Sequence, residues 1–202
     1  MLVITGTGRS GGSAIAEWLY ESKVLPYESE RIPQFYSGFE PKDIARLNSA
    51  IWLGNDAPLQ SLKVQGEMIK DCNYKIIKEN SFFYGNVLDT WLSNRTDLKF
   101  LICLRNFSQV EKSRRHVNQL NKLKTPEELR LCFGTFLSQL IFKNIEFKII
   151  QFPNFIDEHD LVYSSINELG SEYLIDSFGM KISMNKSRKI WENTMDKSLI
   201  SF

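Results

Sequence analysis

LVITGTGRSGGSAIAEWLYES, residues 2–22, carries the reading of the fold. It opens with a β-branched run, LVIT at 2–5, ended by glycine, which predicts a buried strand. GTGRSGGS at 6–13 is a loop. Ile15, Trp18, Leu19 and Ser22 then keep helical spacing, predicting a helix over 12–22 that Pro26 ends. A glycine loop between a strand and a helix gathers backbone N–H groups at a helix start, where the peptide dipoles favour an anion. The glycines let the backbone approach a phosphate closely.

Outward from this segment the pattern repeats. YKII at 74–77 predicts a second core strand, and Tyr84, Val87, Leu88, Trp91 and Leu92 mark an amphipathic helix after it. KFLICL at 99–104 is a third strand, followed by a helix traced by Phe107, Val110, Val117 and Leu120. Thr125-Pro126-Glu127-Glu128 reads as a capping box with proline at the first helical position. Its helix is expected to carry Phe133, Phe136, Leu137, Leu140 and Ile141 on one face. FKIIQF at 147–152 is a fourth strand; a helix with Leu161, Ile166 and Leu169 on one side follows, with Gly170 near its end. Strands alternating with helices predict an α/β domain, a parallel sheet covered on both faces. Residues 24–56, with three prolines and the aromatics Phe35, Tyr36, Phe39 and Trp52, read as a functional loop, being too aromatic for a linker. With 202 residues, no internal repeat and no composition break, a single domain over 1–202 is expected.

Composition excludes several function classes. Lys plus Arg total 25 and Asp plus Glu 24, a balance that argues against nucleic acid as a partner. No stretch approaches the roughly 20 apolar residues of a membrane span, so none is expected. Leu2 to Ile4 run directly into a polar loop, unlike a secretory leader, and a cytoplasmic location is expected. Cys72, Cys103 and Cys132 are odd in number and far apart, which suits reduced core thiols. No residues have metal-ligand spacing, and no metal is expected.

Gly6 and Gly11 have the spacing of the Walker A loop, G-x-x-x-x-G-K-[ST], and Ser13 fills its last position. The lysine position holds Gly12. That lysine holds the β- and γ-phosphates in nucleoside triphosphatases, so its loss points away from ATP or GTP chemistry. The cation inside this loop is Arg9.

TGTGRSGGS at 5–13 resembles the 5′-phosphosulfate loop of the sulfotransferases, whose donor is 3′-phosphoadenosine 5′-phosphosulfate (PAPS) and whose nucleotide product is PAP. LKFLICLRNFSQVEKSRR at 98–115 resembles that family's 3′-phosphate motif, a strand ending in arginine with a serine eight residues on; Arg105 and Ser113 have that spacing. YKIIKEN at 74–80 is similar to the strand ending in Lys-Asp-Pro, with Lys78 matched but Glu79-Asn80 in place of Asp-Pro. ESERIP at 28–33 resembles the Glu-Glu-Thr-Arg-x-x-Pro segment of the tyrosylprotein sulfotransferases. FKIIQFPNFIDEHDLVYSSINELG at 147–170 is similar to the late strand and helix, and NKSRKIWEN at 185–193 to the segment that closes the nucleotide site.

The resemblance implies a three-layer sandwich around a central parallel sheet, of the P-loop nucleoside triphosphate hydrolase-like kind. It implies sulfuryl transfer from PAPS to an acceptor hydroxyl, a carbohydrate among the acceptors. Arg9 would hold the 5′-phosphosulfate, with Gly8, Ser10, Gly11, Gly12 and Ser13 supplying donors; the family usually has threonine where Gly12 stands. Arg105 and Ser113 would hold the 3′-phosphate. Arg188 would reach the same group, although a terminal amphipathic helix anchored by Trp191 fits the segment equally. Arg9 and Lys78 would be the cations at the transferring group, and Glu28 or Glu30 the general base, with Glu79 as a third choice. His159 reads as surface, and the Arg114-Arg115-His116 cluster as a polar helix face or, alternatively, an addition to the positive field at the cofactor. A P-loop nucleoside or nucleotide kinase and a PAP-binding protein without transfer activity are the rival readings.

Overall fold

The structure, a computed structural model, describes residues 1–7, 9–25, 64, 66, 67, 69–83, 87–116 and 125–195. Its first strand, β1 (Leu2–Gly6), is buried along its whole length. Helix α1 (Gly12–Glu21) follows across the glycine loop. The remaining strands are β2 (Ile76–Lys78), β3 (Lys99–Leu104) and β4 (Phe147–Gln151). The helices between and after them are α2 (Val87–Asn94), α3 (Phe107–His116), α4 (Pro126–Phe142), α5 (His159–Leu169) and α6 (Met184–Thr194).

The four strands form one sheet in the order β2-β1-β3-β4, and every pairing is parallel. Ile4 pairs with Lys78 on one side and Leu101 on the other, and Gly6 pairs with Cys103. Parallel strands buried on both faces need nearly continuous apolar runs, which LVIT and FLIC supply. Side chains alternate across a strand, so Phe100 and Ile102 lie on the face opposite Leu101 and Cys103. Phe100 meets Phe136 of α4 edge-on at 5.5 Å. The start of α1 lies over Ile4 and Cys103. Helices therefore cover both faces: α1, packed with α6 and through it α5, on one, and α4 on the other. This is the expected three-layer α/β sandwich.

The second strand begins two residues later than the YKII run, at Ile76, and runs through Lys78. The capping box at 125–128 forms in full: Thr125 Oγ1 accepts from the Glu128 N–H at 3.2 Å, and Glu128 Oε2 accepts from the Thr125 N–H at 2.6 Å. Two helix-face expectations are corrected. Leu129, Phe136 and Leu140 form the buried stripe of α4, while Ile141 is 67% exposed. Likewise Val162, Ile166 and Leu169 are buried in α5, and Leu161 is half-exposed. In both helices one residue beyond the stripe is rotated about 100° away from the core.

A second aromatic cluster holds the α4 face together. Phe136 meets Phe83 at 4.9 Å and Phe100 at 5.5 Å, and Phe82 meets Trp91 at 4.7 Å. Phe136→Ala would leave a cavity among these rings; a loss of about 3–5 kcal/mol is expected, measured by urea denaturation as a lower midpoint at unchanged slope.

Candidate functional site

The strand order places a topological switch at β1 and β3. From β1 the chain passes to β2 on one side, and from β3 it passes to β4 on the other. Open parallel sheets bind ligands in the crevice at the carboxyl ends of two such strands. The glycine loop follows β1 and Arg105 follows β3, so the two stretches singled out in the sequence meet at this edge.

Their contacts are direct. Arg105 Nη1 donates to the Arg9 carbonyl at 3.2 Å. Arg9 Nε donates to Ser113 Oγ at 3.1 Å, across 104 residues of sequence. Arg9 lies in the left-handed region, φ 57°, a conformation that costs a non-glycine residue roughly 1–2 kcal/mol. The contacts to its carbonyl and its guanidinium offset that cost. Arg105 is 6% exposed, its Nε lies 3.5 Å from Gln109 Oε1, and its guanidinium stacks 4.7 Å over the Phe152 ring. Burial foremost, then the nearby Arg9 charge, pulls the Arg105 guanidinium below its ordinary value. A guanidinium whose charged form is disfavoured in this way would be favoured by an anion placed beside it.

Helix α1 starts at the same edge. Its cap is Gly11, φ 89°, with no side-chain cap and no acid in the first turn. The Ala14 N–H turns back to the Gly11 carbonyl at 3.0 Å, and no side-chain oxygen or first-turn carboxylate caps the helix start. Gly11 is needed for space as well as conformation: a methyl group there would lie 2.5 Å from Phe155 Cζ and 2.6 Å from Phe152 Cδ2. Gly12 differs, since a methyl group would meet Cys103, Ile4 and Lys78 Cε at an ordinary 3.8 Å.

That last contact locates Lys78. It is 1% exposed and stands opposite Ile4. Its stem thus runs beneath the start of α1, beside the position where a Walker loop would carry its own lysine. Its charge also reaches Cys103, whose thiol burial nevertheless pushes up to about 12. The Cys103 thiol stays protonated and unreactive at neutral pH. Glu79, which directly follows β2, is fully buried. Ser10 is buried at the loop. Gly8, Glu28 and Glu30 lie outside the described residues.

Three expectations need correction. His159 is 5% exposed; its Nδ1 lies 2.9 Å from Asp160 Oδ1 and its Nε2 2.8 Å from Ser187 Oγ. This Asp-His-Ser chain resembles a hydrolytic relay, but Ser187 is fully buried and substrate cannot reach it. It ties α6 to α5, with Trp18 and Trp191 packed edge-on against the imidazole. Arg188 pairs with Asp160 on the same surface, so the structure joins it to α5 and not to Arg105 or Ser113. Arg114 is not solvated either: it is 3% exposed, and its Nη2 donates to the Thr7 carbonyl. Its signal was present in the helical spacing, because Val110, Ser113 and Arg114 fall on one inner stripe at i, i+3 and i+4.

No protein-family model matches the sequence, and no curated protein does. Among solved structures, an unliganded sugar kinase from Janibacter sp. HTCC2649 is similar over 83% of this chain and 96% of that chain, with 18% identity and a TM-score of 0.42. A likeness at that level carries no argument about this site.

Gly11→Ala should destabilise the chain by at least about 1–2 kcal/mol, from its left-handed backbone alone. Gly12→Ala should be neutral or slightly stabilising, since alanine is preferred to glycine in a helix by roughly 0.5–1 kcal/mol. Chemical denaturation of the two variants side by side checks the pair.

Proposed function

We propose that this chain is a transferase that binds a phosphosulfate nucleotide at the β1–β3 edge and transfers its sulfuryl group to an acceptor hydroxyl. The observation that carries the reading is the convergence of Arg9, Arg105 and Ser113, brought from positions 96 and 104 residues apart into one hydrogen-bonded group. The resemblance of the two motifs to those of the sulfotransferases supports PAPS as donor. Arg9 and the first N–H groups of α1 would hold the 5′ end of the nucleotide. Arg105 and Ser113 would hold the 3′-phosphate, the arginine by its planar fork.

In this reading an acceptor oxygen attacks sulfur in line with the phosphate oxygen it displaces. One S–O bond forms as the other breaks, and the acceptor's proton passes to a carboxylate. Lys78, beneath the loop, would stabilise the charge that develops on the leaving oxygen. Glu28 and Glu30 are the first candidates for the base, with Glu79 the third. Positioning and charge stabilisation carry most of such a transfer, as in phosphoryl transfer. A transferred group with less negative charge than a phosphoryl group has less need of a metal to neutralise it.

One observation favours a second reading. The Lys78 stem fills the space beside Gly12, which lets a lysine from β2 substitute for the missing Walker lysine. Phosphoryl transfer from a nucleoside triphosphate would use the same edge.

Ligand stabilisation separates the two. PAP at about 100-fold excess over its dissociation constant should raise stability by roughly 2.7 kcal/mol, read as a higher melting temperature. ATP with magnesium should do so much less, and equal stabilisation by ATP would overturn the sulfotransferase reading in favour of the second. PAP binding without turnover on any acceptor would mark a nucleotide-binding protein that has lost transfer.

The 3′-phosphate assignment has its own test. Arg105→Ala should weaken PAP by about 1.5–3 kcal/mol, the worth of a charged hydrogen bond. Adenosine 5′-phosphosulfate, which lacks the 3′-phosphate, should weaken less, losing only the support that Arg105 gives the Arg9 carbonyl. Equal losses in calorimetric titrations would make Arg105 a structural residue.

A further inference from the structure

We infer that Arg114 is a positioning residue of the anion site: it holds the β1–α1 loop by a backbone carbonyl, so that the loop presents N–H groups and positive charge to the ligand. The inference rests on the reading of this loop as an anion cradle, though not on which nucleotide fills it.

Arg114 reaches the loop from α3. Its buried guanidinium donates to the carbonyl of Thr7, 107 residues earlier. Thr7 is 1% exposed, and its own hydroxyl has no hydrogen-bond partner among the described residues. The backbone carbonyl is therefore where Thr7 is held. Arg105 does the same two residues further on, at the Arg9 carbonyl. Two carbonyls of one short loop are thus collected by two guanidiniums.

The polarity of the peptide gives this arrangement its consequence. The N–H and C=O of a trans peptide point in opposite directions. Turning the Arg9 carbonyl toward Arg105 turns the Ser10 N–H away from it. A loop whose carbonyls rotated into the crevice would repel an anion; one whose carbonyls are bound on the α3 side cannot rotate so. The Arg114 guanidinium, 3% exposed, makes its contact to the Thr7 carbonyl from inside the molecule. Arg115, the next residue, points outward and pairs with Glu111 one turn away, which makes it an internal control.

Two measurements on the full chain test this. Hydrogen exchange of a peptide spanning residues 5–15 reads the loop without any ligand, and calorimetric titration with PAP reads the site. Arg114→Ala should speed exchange in that peptide at least tenfold, leave strand β3 protected, and weaken PAP at least tenfold. Arg114→Lys, which keeps the charge and loses the fork, should fall between, and Arg115→Ala should change neither. Should Arg114→Ala fail to fold, Arg114→Lys decides: wild-type loop exchange and affinity would overturn the inference. It is also overturned by a loosened loop with unchanged affinity, or by exchange that rises evenly over the whole chain. If the wild type does not bind PAP, the proposed function fails, while the exchange of the Arg114 variants still decides whether the residue fixes the loop.

Discussion

The bond from Arg105 to the Arg9 carbonyl is the constraint on which the site depends. It exists because β1 and β3 are parallel neighbours in a register that sets Gly6 beside Cys103, so both chains leave the sheet at the same level. One continues into a glycine loop and the other into an arginine. The bond fixes a left-handed residue that would otherwise relax, and it draws two guanidiniums together. Their repulsion is tolerated because Ser113 and the Phe152 ring receive them. Burial and the neighbouring Arg9 charge together disfavour the Arg105 cation at this edge.

The support beneath this edge comes from the end of the described chain. Phe152 and Phe155 press against Gly11, and Trp191 of α6 packs on Phe155 at 6.3 Å. Trp191 donates to the Ile156 carbonyl at 2.8 Å, and the buried His159–Ser187 contact secures α6 against α5. Arg188 and Asp160 close the outer side of that junction. Helix α6 reaches the glycine loop through aromatic rings, which set the space available to Gly11.

Lys78 lies where the loop itself has no side chain: its Cε is 3.8 Å from a methyl group placed at Gly12. A parallel partner places its last residue beside the loop's base, within reach of a four-carbon stem. The buried Glu79 follows Lys78 directly, so two adjacent residues of opposite charge are both enclosed at this end of β2.

The sequence by itself determined the layer order, the four strands, the caps and the two halves of the site, because periodicity and turn chemistry are local and LVITG and KFLICLR are strongly patterned. The pairing of Arg105 with Ser113 came from the motif resemblance. Only the tertiary structure decided what those residues touch. That Ser113 receives Arg9, that Arg114 is buried on the Thr7 carbonyl, and that Arg188 turns to Asp160 each depend on which helix faces which loop. His159 illustrates the reason: between two acidic residues it looks like surface, yet Trp18, Trp191 and Ser187, from distant parts of the chain, enclose it. Burial of a polar group is set by partners far away in sequence, and no local pattern records them.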